Sequence, residues 1–125
     1  MDFVATDAAP TPAGHYSQCV VHGGLAFVAG QLPIDPATGA IPEGADIAQQ
    51  TRQTLANLRA ILRAAGSDLD KVLKVTVYVP DISCWGELNA VYAEVFGDHK
   101  PARAVVPSRE LNKGAMVEIE AIAAV

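Results

Sequence analysis

No stretch of the 125 residues approaches the roughly 20 consecutive apolar positions that a membrane-spanning helix needs, and no basic segment precedes an apolar run at the start. A soluble, cytoplasmic protein with no membrane partner is therefore expected. Cysteine is scarce: Cys19 and Cys84 stand alone, without C-x-x-C spacing or the density of a secreted disulfide scaffold, and read as buried reduced thiols. Basic residues are outnumbered, nine Lys and Arg against 14 Asp and Glu for a net charge of −5. They are scattered along the chain, which argues against nucleic acid as the main partner. There are only three histidines. On an extended strand His15 and Cys19 face one way and His22 the other, so no metal site is expected from them. The H-E-x-x-H, P-loop, G-x-G-x-x-G and G-x-S-x-G signatures are missing. Ser17 and His15 do not make a convincing nucleophile and base, because they lack an identifiable carboxylate to orient the imidazole. What these absences leave is chemistry that needs positioning, a carboxylate clamp and a water, with no cofactor.

Half of the residues are hydrophobic, and a chain of this length hides about two-thirds of its unfolded surface in a single core. One domain over residues 1–125 is expected. Tyr16 to His22 and Leu25 to Ala29 are β-rich runs joined by Gly23-Gly24, a hairpin pattern. Asp35 to Gly39 is a turn. Asp46 and Gln49 make a capping box for a helix whose apolar positions, Ile47, Thr51, Leu55, Leu58, Ile61, Leu62 and Ala65, recur until Gly66 stops it. Arg52, Arg59 and Arg63 lie mostly off that stripe and belong to a solvated face. Val72 to Val79 alternates as a strand ended by Pro80, and a second helix follows, capped by Ser83 and buried through Trp85, Leu88, Val91, Tyr92, Val95 and Phe96. Two strands close the chain. The order β-β-α-β-α-β-β predicts an α+β sandwich, a mixed sheet covered on one face by two helices. Its other face is apolar enough to call for self-association into a closed ring.

Charge inside those last two strands is the feature that asks for a function. In Pro101-Ala102-Arg103-Ala104-Val105-Val106, Arg103 and Val105 share a face. In Val117-Glu118-Ile119-Glu120-Ala121-Ile122-Ala123, the two glutamates share one. Two readings stand side by side: a structural ion pair of Arg103 with Glu118 or Glu120, or a common pocket in which the guanidinium fork binds a small carboxylic acid.

Seven strings in order carry a family pattern: Gly14-His15-Tyr16-Ser17-Gln18, Val28-Ala29-Gly30-Gln31-Leu32-Pro33, Gln50-Thr51-Arg52-Gln53 through Asn57-Leu58, Lys74-Val75-Thr76-Val77-Tyr78, Asn89 with Tyr92, Pro101-Ala102-Arg103, and Val117 to Ala123. Together they resemble the Rid/YjgF family of reactive-intermediate deaminases over nearly the whole chain. The resemblance implies a chorismate-mutase-like α+β fold, a mixed sheet of about six strands under two helices, assembled as a homotrimeric barrel with sites between subunits. It implies cofactor-independent hydrolysis of 2-enamine and 2-imine acids to 2-oxo acids and ammonia. Carried over by position, Arg103 clamps the substrate carboxylate, and Tyr16 walls the site from a neighbouring subunit or orients the ligand. The backbone at Gly30 and Val105 lines the pocket. Glu118 positions or activates the attacking water with Glu120 as the fallback, and Asn89 is a secondary site residue.

The chain departs from the family pattern at Ala29, where many members carry a hydroxyl, at Val105, where the well-known deaminases have Cys, and at His15, a common Pro. Pro107 to Asn112 also differs from the usual wording. Three alternatives to deamination of small imines stay open: a 2-oxo acid or carboxylate-binding module, a specialised deaminase of a larger, aminomuconate-like amino acid, and the ribonuclease activity ascribed to some relatives.

Overall fold

The computed structural model describes residues 1–125 and places six strands in one sheet. They are β1 (Asp2–Val4), β2 (Cys19–His22), β3 (Leu25–Gln31), β4 (Val72–Val79), β5 (Ala102–Pro107) and β6 (Glu118–Ala124). Across the sheet they run β1-β2-β3-β6-β4-β5, antiparallel at every step except β4–β5. β6 lies antiparallel to both β3 and β4, so those two strands run parallel with the last strand inserted between them. Each half is thus a strand, a helix and a parallel strand.

Helix α1 (Ile47–Ala64) begins where its orphan amides find partners. Asp46 Oδ1 accepts the Gln49 N–H at 2.8 Å, and Gln49 Oε1 accepts the Asp46 N–H at 2.9 Å. Its stripe of Ile47, Leu55, Leu58, Ile61 and Leu62 is buried, and Gly66, at φ 82°, makes the left-handed turn away. Helix α2 (Trp85–Phe96) starts differently from the expected Ser83 cap. The Asp81 carboxylate accepts the Ser83 N–H at 2.9 Å and holds a 3₁₀ turn, Ile82–Cys84, that leads into the helix. Ser83 thus lies inside a turn that Asp81 caps, and α2 itself begins after Cys84 with no side-chain cap.

Both helices lie on one face of the sheet. Val28, Val75, Val77, Ile119 and Ala121 rise from the strands to meet Leu55, Leu58, Leu62, Leu88, Tyr92 and Phe96 in a single core. Each fully buried aliphatic side chain there contributes about 1.5–3 kcal/mol relative to exposure. The opposite face has no covering element: Phe3, Val20, Phe27, Ile122, Lys74 and Ala102 form one row across it, with Phe3 70% and Phe27 44% exposed.

Two strand limits differ from the sequence reading. β1 was not expected, since three residues are too few for alternation to show. β2 starts at Cys19 and not Tyr16, because the buried Gln18 amide is occupied in stapling a loop: it accepts the Thr6 N–H at 2.7 Å and donates to the carbonyls of Thr6 and Pro10 at 3.1 and 2.9 Å. Tyr16 and His15 therefore sit in an exposed loop. The three arginines of α1 are exposed as expected and carry surface ion pairs, Arg52 with Glu94 and both Arg59 and Arg63 with Asp68. The Arg59 hydrogen bond to Asp68 is the main reason that carboxyl is lowered to about 2. No helix is long and apolar enough to cross a membrane.

Candidate active site

Strand register decides which charges meet. Arg103 pairs with Val75, and Val75 with Ala121, so this row projects toward the helices. Glu118 pairs with Tyr78, and Glu120 with Thr76, so both carboxylates project from the opposite, uncovered face. The structure therefore corrects the shared-face expectation: within one chain the sheet itself separates Arg103 from Glu118 and Glu120. Nor does a structural ion pair form between them, as Arg103 takes part in none of the chain's salt bridges.

Arg103 finds its partners on α2 instead. Its Nη1 donates to Asn89 Oδ1 at 2.9 Å, and its guanidinium carbon lies 4.6 Å from the centre of the Tyr92 ring. Asn89 and Tyr92 are three residues apart, hence on one side of the helix. Together with Phe96, His99 and Lys100 these residues line an open cleft of about 370 Å³ at the β5 edge. Burial pushes the Tyr92 hydroxyl upward in pKa, with the nearby Arg103 charge working the other way. Val105 projects to the same side of the sheet as Arg103, half-buried, and its side chain packs on the core; it is not among the residues that line the cleft.

A second cluster gathers around the β3–β6 junction. Gly30 lies at an irregularity in that pairing, and the Glu118 carboxylate occupies the space beside its Cα: a Cβ added there would lie 2.2 Å from Glu118 Oε2. A glycine is what lets the carboxyl approach the backbone. Glu118 is half-buried and its carboxylate makes no hydrogen bond within the chain, and burial first, then the charge of Glu120, pushes that carboxyl above the usual value. Glu120 is differently placed. Tyr78 Oη donates to its Oε1 at 2.7 Å, and that bond is the main cause of the raised Tyr78 pKa. Tyr16, 52% exposed, accepts the Ala13 N–H at its hydroxyl and borders a small hollow of about 40 Å³ with Gly30, Gln31 and Leu32.

One chain therefore carries two separate clusters of the expected site residues: Arg103 with Asn89 at the β5 edge, and Tyr16, Gly30 and Glu118 around the β3–β6 junction. Tyr92 beneath Arg103 and Tyr78 on Glu120 were missed in the sequence reading. Each was signalled by spacing, Tyr92 by its three-residue offset from Asn89 and Tyr78 by its place on the polar side of β4. No group of three or more His, Cys, Asp or Glu side chains is close enough to hold a metal ion. Cys19 is buried, and that burial raises its thiol pKa.

Comparison with known proteins follows the same lines. The family model described as Endoribonuclease L-PSP matches residues 6–125. A RutC family protein of Pyrococcus horikoshii is 52% identical over 122 residues, 98% of this chain and 96% of that protein. A 2-iminobutanoate/2-iminopropanoate deaminase of Escherichia coli is 42% identical over 123 residues, 96% of this chain and 94% of the relative. Among solved structures, E. coli TdcF with bound serine superposes with a TM-score of 0.95 at 38% identity, covering 100% of this chain and 99% of the other.

Proposed function

This chain belongs to the Endoribonuclease L-PSP family, the Rid/YjgF proteins, and we propose that it hydrolyses 2-imine and 2-enamine acids to 2-oxo acids and ammonia at a site shared between subunits of a homotrimer. The observation that carries this reading is the guanidinium of Arg103, held on one side by Asn89 and Tyr92 and paired with no carboxylate, beside an open cleft. Such a fork takes a substrate carboxylate bidentately, through charged hydrogen bonds worth about 1.5–3 kcal/mol. The relative named as an iminobutanoate deaminase and the neighbour holding serine, itself a small amino acid, support a ligand of that size.

The chemistry then needs few groups. The enamine tautomerises to the imine, whose protonated form has an electrophilic C2. Water adds there, forming the C–O bond and a carbinolamine, and Glu118 of the adjoining subunit takes the proton that water loses. Returning that proton to nitrogen lets the C–N bond break with its electron pair on ammonia, and the carbinolamine O–H proton leaves as the 2-oxo acid forms. The net change is one water consumed and one ammonia released. Fixing the carboxylate fixes the face of C2 shown to water, so the acceleration comes from orientation and preorganised charge. The acidic balance, a net charge of −5, weighs against the RNA cleavage that the family description would suggest, since a phosphate backbone is held by cations.

The experiment generates 2-iminobutyrate and 2-iminopropionate in place with an amino-acid oxidase and follows imine decay. Decay faster with wild type than without protein, and at the uncatalysed rate with Arg103→Ala, is the expected result. Equal decay in all three contradicts the deaminase reading, and 2-oxo acid binding without turnover would make the chain a carboxylate-binding module.

A further inference from the structure

Arg103 sits on an edge strand, where a long, flexible side chain of three methylenes and a guanidinium would ordinarily sample many rotamers and lose that freedom on binding a ligand. Here two contacts from α2 remove it beforehand. The Tyr92 ring supports the guanidinium from one face at 4.6 Å, and Asn89 Oδ1 accepts one of its N–H groups at 2.9 Å. A face and an edge held together fix the plane of the fork. Of its five N–H donors, Asn89 uses one, leaving the others for the cleft.

We infer that Tyr92 is the positioning residue of the Arg103 clamp, its ring holding the guanidinium flat and ready for a carboxylate, an inference that rests on Arg103 being the carboxylate-binding group. Tyr92 is well placed for this work because it is itself immobile. It is 7% exposed, and the Phe96 ring backs it at a centroid distance of 4.5 Å and an interplanar angle of 31°. The hydroxyl contributes nothing to the support: it is buried with no hydrogen-bond partner, which costs stability. The aromatic face is the working part, so phenylalanine should do as well and an aliphatic residue should not. Nothing on the cleft competes for the fork, whose other charged or titratable lining groups are His99 and Lys100.

The test compares wild type, Tyr92→Phe and Tyr92→Leu by three readouts: proton chemical shifts of the Arg103 side chain without ligand, the affinity for 2-oxobutyrate, and the kcat and KM of imine decay. The wild-type Arg103 δ and ε protons should be shifted upfield by the ring beneath them. Tyr92→Phe should keep that shift and the affinity, and melt no lower than wild type. Tyr92→Leu should lose the shift and bind 2-oxobutyrate about 3- to 30-fold more weakly, raising KM more than it lowers kcat. Arg103 protons without an upfield shift in wild type overturn the inference even if Tyr92→Leu fails to fold, and wild-type affinity in a folded Tyr92→Leu overturns it as well. A wild type with shifted Arg103 protons that binds 2-oxobutyrate but does not speed imine decay leaves the positioning role standing and removes the deaminase reading alone.

Discussion

Glu118 and Glu120 are two residues apart on one strand, yet their surroundings differ. Glu120 is tied to the Tyr78 hydroxyl, while Glu118 is unpartnered, partly buried and lodged against Gly30. The folded Glu118 carboxyl has a pKa above its ordinary value, so ionising it opposes folding: that penalty appears as pH rises from the ordinary carboxylate range through the raised value. If the ionised form is the base, kcat/KM must fall as pH drops through the same raised value. Glu118→Gln should therefore abolish this acid limb and lower turnover more than ligand affinity. Glu120→Gln should move the limb to lower pH, since the Glu120 charge is the second cause of the shift; a pH–rate profile of the two variants separates these outcomes. Gly30→Ala tests the same carboxyl from its other side. The new Cβ would meet the far end of a flexible side chain at 2.2 Å, so the carboxyl must swing away while the backbone keeps its place. The expected outcome is a melting temperature near that of wild type with turnover reduced at least tenfold, about 1.4 kcal/mol in transition-state binding.

At the scale of elements, α1 was legible in the sequence because its capping box, its buried stripe and its terminal Gly66 all point the same way. Removing the cap should show it: Asp46→Ala is expected to cost about 1 kcal/mol, read as a shift in the urea midpoint with an unchanged slope. β4 and β6 were legible from alternation, and Arg103 stood out only by the incongruity of a charge in a strand. What alternation does not encode is which strand lies beside which. Arg103 and Glu118 fall on opposite faces because β4, between β5 and β6, sets the register of both, a relation between segments far apart in the chain: Val75 pairs with Arg103 on one side and with Ala121 on the other. The Ser83 cap failed for a more local reason, a 3₁₀ turn capped by Asp81 that takes Ser83 inside it, and β1 is too short to announce itself.

At the scale of the whole molecule, the uncovered sheet face and the divided site ask for the same thing. A row containing Phe3, Val20, Phe27 and Ile122 exposes apolar surface that a second and third copy would cover. In the proposed ring the Arg103 edge of one copy would meet the Glu118 junction of the next, a meeting that the sheet prevents within one chain. The measurement that tests this most directly mixes Arg103→Ala with Glu118→Gln, each far below wild type alone, unfolds them together and lets them reassemble before imine decay is followed. A site built from Arg103 of one subunit and Glu118 of its neighbour predicts that activity returns to about a quarter of the wild-type level, the share of interfaces that pair two intact halves in a random equimolar ring. Mixed trimers that form and stay no more active than their parents would contradict it.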